Sequence, residues 1–214
     1  MFPLAPEGYP FVLAPAVAGV LVWAFGYQVV GVALWVGALA CLAFFRDPAR
    51  ESNAPPDAVL APADGKVLSV GAAPERLVAM GLPRQVSIFM SPANVHVNRA
   101  PISGRVRQVE WSPGRKFPAY RDKASELNEH SFVVLDGEHG PVAFKQIAGA
   151  VARRVVCRLA AGQEVARGER IGIIKFGSRL DLFLPAHAAV EVTPGARTLA
   201  GLTTVARWER EPPA

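Results

Sequence analysis

Residues 9–45 contain no charged side chain, and no other feature constrains the fold of this 214-residue chain so tightly. Two apolar runs, 11–25 and 29–45, flank Gly26-Tyr27-Gln28. A bilayer-spanning helix takes roughly 20 apolar residues, with a lower limit near ~17. Each run is short for a full span, and together they are too long for one straight helix. The pattern therefore predicts a helical hairpin turning at 26–28, with both ends on one side; a single tilted span is the alternative. A secretory signal fits poorly, because no basic residue precedes the apolar region. Arg46 and Arg50 follow it directly, and this asymmetry points the downstream part toward the cytoplasm. A helical pair in a soluble core would have to bury an unusually large apolar surface, since neither run has a polar face.

Charge returns only beyond this stretch. Up to residue 45 the one charged side chain is Glu7, so 17 of the 18 Asp+Glu lie downstream against all 23 Lys+Arg. A basic domain beside an apolar anchor suits an anionic membrane surface. Nucleic acid is the usual rival partner, yet no run of Lys/Arg interleaved with aromatics is present. Cys41 and Cys157 are far apart and read as small buried hydrophobes. No Cys/His spacing suggests a metal site.

Residues 46–58 are polar and proline-rich and read as a linker between a membrane-associated hairpin (1–45) and a β-rich catalytic domain (59–214). Short β-type runs then alternate with Gly/Pro turns, at 67–70, 85–90, 106–111, 132–135, 142–147, 154–158, 171–174, 180–184 and 189–192. Only 74–80 and parts of 121–127 look helical. A mainly β sandwich or barrel follows. The turn-rich segment 161–172 resembles the barrel-sandwich hybrid of biotinyl and lipoyl domains, a likeness of fold that carries no function.

Six short segments, in order along the chain, carry a more specific resemblance. They are Phe44-Phe45-Arg46-Asp47-Pro48, then Ala61-Pro62-Ala63-Asp64-Gly65, then Met90-Ser91-Pro92-Ala93-Asn94-Val95-His96-Val97-Asn98-Arg99-Ala100-Pro101. Pro113-Gly114-Arg115-Lys116-Phe117, Asp122-Lys123-Ala124-Ser125 and Phe176-Gly177-Ser178-Arg179 complete the set. With them the chain resembles, over nearly its whole length, the short membrane-attached class of phosphatidylserine decarboxylase proenzymes.

The resemblance implies a pyruvoyl-dependent lyase that makes its own cofactor. Ser178 would attack the carbonyl of Gly177, and the chain would part into residues 1–177 and 178–214, a heterodimer that can assemble further. The new terminus would be a pyruvoyl group derived from Ser178, whose ketone forms a Schiff base with the serine amine of phosphatidylserine and accepts the electrons left by carbon dioxide. Glycine before the serine suits this step, because attack on the preceding carbonyl needs a backbone geometry a residue without a side chain adopts cheaply. Serine is needed because its oxygen is nucleophile first and leaving group later.

By the same resemblance His96 is the proton donor or positioning group at the decarboxylated carbon, and Asp64 the acid that orients the base of self-cleavage. Longer members have a second histidine three positions after the first, where this chain has Arg99. The base for cleavage is therefore His96 itself or His130. Arg99, Arg115 and Lys116 are the candidates for neutralising the lipid phosphate. His139 and His187 read as surface residues. The implied setting is the cell membrane, with the catalytic domain on its cytoplasmic face and an anionic phospholipid as substrate.

Two other classes compete with this reading. Asp122-Lys123-Ala124 is the tripeptide around the modified lysine of lipoyl carriers, which gives a membrane-tethered lipoyl- or biotinyl-type carrier as the alternative. That lysine would have to sit at an exposed hairpin tip, yet it lies outside the glycine-turn segment. A zinc peptidase of related β fold needs paired histidines, and His96 stands without a near neighbour.

Overall fold

The computed structural model describes residues 3–114, 117, 127–149, 154–175 and 178–209. Two compact units result, Met1–Ala49 and Arg50–Ala214.

The first unit is a helical hairpin, as the apolar pattern predicts. Helix α1 (Tyr9–Ala24) and helix α2 (Gln28–Phe44) are joined by a turn in which Gly26 takes φ +89°. Small residues let the helices approach: a Cβ on Gly19 would stand 3.1 Å from the carbonyl oxygen of Gly31. Trp35 Nε1 donates to Ala16 O at 3.1 Å, and its ring stacks on Trp23 with centroids 5.3 Å apart. Together with the turn before it, α1 makes a 19-residue helical stretch, Pro6–Ala24, long and apolar enough to cross a membrane by length and composition. The second helix is shorter. Leu13, Val17, Leu21, Val29, Val36 and Leu39 are exposed on the pair.

The second unit is mainly β. In chain order its elements are β1 (Ala58–Leu60), β2 (Gly65–Ala72), α3 (Glu75–Ala79), β3 (Arg84–Met90), β4 (Val97–Arg99), β5 (Gly104–Ser112), β6 (His130–Gly137), β7 (Gly140–Ala148) and β8 (Val155–Cys157). There follow β9 (Glu164–Val165), β10 (Arg170–Ile174), β11 (Ser178–Leu184), β12 (Ala188–Val190), β13 (Arg197–Thr198) and β14 (Thr204–Trp208). One curled eight-stranded sheet has the order β13-β2-β3-β11-β7-β6-β5-β9, and two three-stranded sheets run β1-β14-β12 and β4-β10-β8. Every described pairing is antiparallel.

All nine expected β runs overlap strands, and the helix expected at 74–80 is α3. Residues 121–126 lie outside the described part. Short β1, β4, β9 and β13 give little period-two signal of their own and are fixed by the ladders they join. In the segment 161–172, Gly162 (φ +87°) and Gly168 (φ +81°) make the turns around β9 and before β10. Both cysteines are unpaired and partly exposed, so the expectation that they are buried is corrected.

Strand β11 lies at the centre of the large sheet, between β3 and β7, and is buried along its whole length. Successive side chains leave opposite faces of a strand. On one face Leu180, Leu182 and Leu184 join Val86, Ile88, Met90, Phe144 and Val133 in the main core. On the other, Phe183 joins Phe132, Leu77 and Leu82 beneath α3.

At the start of β2 the neighbouring backbone comes very close. A Cβ on Gly65 would stand 2.1 Å from Phe89 O, whereas nothing lies within 4 Å of one on Gly71 in the same strand. Gly65→Ala should therefore lower stability by about 2 kcal/mol or more, and Gly71→Ala should stay within about 0.5 kcal/mol of the parent. Thermal unfolding of both variants in detergent checks this; equal midpoints would contradict the close approach.

Candidate active site

Ser178 opens β11, and its backbone pairs with Met90 of β3 on one side and Ala148 of β7 on the other. It is fully buried on the main-core face, and its hydroxyl donates to Met90 Sδ at 3.2 Å. A thioether is a weak acceptor, so this contact positions the hydroxyl without tying it to a strong partner. Gly177 and Phe176, on the other side of the expected cut, lie outside the described residues.

The segment after β3 explains how its motif reaches this point. Asn94 Oδ1 accepts from the Ser91 backbone N–H (2.9 Å) and from Ser91 Oγ (2.7 Å), which closes a turn just beyond Met90. The chain then comes back as β4, and Asn98 Nδ2 donates to Met90 Sδ at 3.7 Å. Gln146 of β7 donates its amide to Asn98 Oδ1 at 2.8 Å. Ser178, Met90, Asn98 and Gln146 thus form a buried polar cluster. Gln146 Oε1 and Ser131 Oγ are buried and have no hydrogen-bond partner among the described residues. Each costs about 1–3 kcal/mol as it stands, which marks the place as one built for something other than stability.

His96 is fully buried and lies two residues before Asn98, on the same side of an extended run that the bond from Ile174 N to His96 O prolongs. Its Nδ1 donates to Asn94 O at 3.0 Å. A carbonyl can only accept, so in the neutral ring Nδ1 carries the hydrogen and Nε2 is the basic nitrogen.

Asp64 is only 4% exposed and sits just before β2, at the same end of the sheet as Met90 and Ser178. Arg50 grips it with two nitrogens, at 2.5 and 2.9 Å, and the Ala200 N–H donates to Oδ1 at 2.8 Å. Arg50 also donates to Ala200 O at 2.8 Å. From the sequence Arg50 reads as a charge flanking the membrane anchor, with no sign of this pairing. The nearest signal was the arginine inside a proline-rich linker, which says nothing about a partner 14 residues away.

The remaining candidates scatter. His130 starts β6 with its side chain on the face opposite Ser131, and so across the sheet from the Ser178 hydroxyl. It lines a separate cavity of about 540 Å³ with Arg179, Lys145 and Phe132. Burial holds its pKa below the ordinary 6.5, against the hydrogen bond from Nδ1 to Asn128 O, which works in the raising direction. On that face Arg179 is bonded to Asp181 (2.6 Å) and Ser87 (2.9 Å). Arg99 donates to Gly168 O at 3.0 Å and belongs to the joint between β4 and the turn before β10. Arg115, Lys116 and Lys123 lie outside the described residues. His139 and His187 flank Trp208, and His187 Nε2 donates to His139 O at 2.8 Å, away from this site.

A sequence model of the phosphatidylserine decarboxylase family matches residues 38–206. The chain is similar to the phosphatidylserine decarboxylase proenzyme of Magnetococcus marinus, with 46% identity over 209 residues, covering 95% of this chain and 94% of that protein. It is also similar to the proenzyme of that name from Azorhizobium caulinodans, with 40% identity over 219 residues, covering 99% and 92%.

Two outcomes follow from the geometry. Arg50→Ala strands a buried carboxylate and should cost about 3–5 kcal/mol, with the Arg50→Ala/Asp64→Ala pair costing less than the two single changes together; denaturant unfolding of the three variants measures it. His130 binds its proton less readily folded than unfolded. Its contribution to stability is therefore present above about pH 6.5 and is lost as pH falls below that toward the depressed folded value. His130→Asn should flatten the acid side of a stability–pH profile, and an unchanged slope would count against the burial effect.

Proposed function

The chain belongs to the phosphatidylserine decarboxylase family, and from that premise we propose that it cuts itself between Gly177 and Ser178 and converts phosphatidylserine to phosphatidylethanolamine. The observation that carries this reading is Ser178 itself: a buried serine, first in a central strand, bonded through its backbone to both neighbours and with its hydroxyl on a thioether.

In the maturation step the Ser178 oxygen attacks the Gly177 carbonyl carbon, the C–N bond between the two residues breaks, and an ester forms. Loss of the Ser178 Cα proton expels Gly177 as a carboxylate and leaves a dehydroalanine. Addition of water then releases ammonia and leaves the pyruvoyl group at the head of β11. His96 serves as base, with Nε2 taking the hydroxyl proton while the bond to Asn94 O fixes the ring. Its side chain is on the run that folds back over Met90, whereas His130 is across the sheet. Asp64 is a positioning residue, acting with Arg50 on the segment that enters β2.

The site fits such a group. Ser178 is surrounded by the neutral side chains of Met90, Asn98 and Gln146, and Gln146 Oε1 is an acceptor awaiting an N–H. When formed, the pyruvoyl group supplies the electron sink for the carbon that loses carbon dioxide. Gln146 orients the incoming amine, His96 returns a proton to that carbon, and the buried surroundings exclude water.

The hairpin attaches the protein to the membrane in which its substrate resides. Its exposed apolar side chains and the length of Pro6–Ala24 support this. Arg46 directly after the apolar stretch favours the cytoplasmic side.

Intact mass spectrometry under denaturing conditions tests the central step. Two chains are expected, residues 1–177 and 178–214, the smaller with a pyruvoyl group in place of serine, and Ser178→Ala should give one uncut chain. A single full-length mass for the unaltered protein, from a host in which relatives mature, would sink the mechanism. His96→Ala should slow cleavage at least ~100-fold, the scale of a lost general base, while His130→Ala should leave it within about twofold.

A further inference from the structure

Strand ends are ordinarily the wet rim of a sheet. Here β3 ends at Met90, β7 ends at Ala148 and β6 begins at His130, all within one residue of the level of Ser178 at the head of β11. Yet Met90, Ala148, Ser178 and Asn128, two residues before β6, are at most 1% exposed. Groups beyond the strands therefore cover this end. Next to β3 stands the turn that Asn94 closes on Ser91.

On the β6–β7 side the described residues supply Phe117, and one side chain holds it there. Asn128 Oδ1 accepts from the Phe117 N–H at 2.8 Å, while Asn128 Nδ2 donates to Phe117 O at 2.7 Å and to Ala148 O at 2.6 Å. The amide thus offers Phe117 the donor and the acceptor that a neighbouring strand would offer. It does so where the β6–β7 ladder stops, with the Ala148 N–H on Glu129 O at 2.9 Å. The orientation of the amide is fixed, since two carbonyl oxygens can only accept. Phe117 is half-buried, and its carbonyl oxygen shares one nitrogen with the carbonyl oxygen of Ala148, the strand neighbour of Ser178. Neighbouring strands lie ~4.8 Å apart, so Phe117 is fixed close to the reacting end.

The junction is tight at a second point. A Cβ on Gly114 would stand 2.2 Å from the Asn128 carbonyl carbon and 2.4 Å from Glu129 N. Gly114 and Phe117 belong to a family-like segment that the proposed chemistry leaves without a role, and both are docked on Asn128 or its successor.

A covered strand end matters most to the ester of the maturation step. After Ser178 Oγ has taken the Gly177 carbonyl and before elimination, water can attack that same carbonyl. The acyl C–O bond then breaks, Gly177 leaves as a carboxylic acid and the Ser178 hydroxyl is restored. The smaller chain so formed begins with serine and a free amine, and carries no pyruvoyl group. Burial suppresses this side reaction. Water is needed only later, to release ammonia once the chains have parted.

We infer that Asn128 is a positioning residue for maturation, holding Phe117 against the Ala148 edge beside Ser178 and so keeping water from the ester. The inference rests on the proposed self-cleavage for the existence of that ester.

The test reads the identity of the smaller chain by intact mass, in full-length protein purified in detergent and checked for folding by thermal unfolding. A chain that begins with serine is heavier than its pyruvoyl counterpart by one ammonia. The unaltered protein should yield the pyruvoyl form almost alone. Asn128→Ala and Asn128→Asp should each raise the ratio of serine to pyruvoyl chains about tenfold or more, the scale of one or two lost hydrogen bonds. The aspartate keeps the volume but, as a carboxylate, has no donor for the two carbonyl oxygens. Phe117→Ala leaves the backbone bonds in place and should raise the ratio as well, with Phe117→Leu restoring most of the pyruvoyl form. Lost stability alone would slow cleavage without changing which product appears. Where an Asn128 variant does not fold, the Phe117 pair decides by the same ratio. An unchanged ratio in cleaved Asn128→Asp and Phe117→Ala protein overturns the inference and leaves self-cleavage standing. A single uncut chain from the unaltered protein overturns both.

Discussion

The ladder that clamps β11 between β3 and β7 governs the rest of this molecule. Six register partners on β7 and seven on β3 hold a strand whose first residue is Ser178. A peptide bond broken just before that strand would leave its ladder intact, because none of those hydrogen bonds depends on continuity with residue 177. The same clamp decides which groups can meet. Strand alternation sends Ser178 to the main core and Arg179 to the other face, where it joins Asp181 and Ser87. Two chemically rich regions are therefore one residue apart in sequence and separated by the thickness of a sheet.

Polar groups around Ser178 come at a stability cost that the core has to offset. Met90, Asn98 and Gln146 satisfy one another in part, while Gln146 Oε1 and Ser131 Oγ go without partners among the described residues. A core designed for stability alone would place apolar side chains there, as it does at Val133 and Phe144 in the next layer. The Arg50–Asp64 pair follows a different logic. Both charges are nearly inaccessible, and the carboxylate oxygens are occupied by the guanidinium and a backbone N–H. With its charge matched in this way, Asp64 holds two segments together.

Much of this was legible in the sequence. An uncharged stretch with a glycine at its midpoint could only be an apolar hairpin or a tilted span, and Gly26 makes the turn. Period-two runs such as 106–111 marked the long strands. What could not be read was partnership across distance. Nothing local to Arg50 announces Asp64, and nothing local to His130 says that its side chain leaves the sheet on the far side from Ser178. That fact depends on register, which is set by pairing with β5 and β7. The phosphate candidates show the same limit, since a basic residue in a family-like motif, Arg99, is used on a backbone carbonyl.

What the surroundings of Ser178 can contribute follows from what changes during the proposed decarboxylation. The phosphodiester of the lipid carries the same charge before and after carbon dioxide leaves. Any contact to it is therefore equally strong in substrate, transition state and product, and such uniform binding lowers KM without speeding the chemical step. Discrimination between the serine and ethanolamine headgroups has to arise where they differ, at the carboxylate and the carbon that bears it. In the proposed reaction that region would face the neutral side chains of Met90, Asn98 and Gln146. A carboxylate taken into such surroundings loses solvation that carbon dioxide does not need, so a pocket without a cation favours departure of the charge.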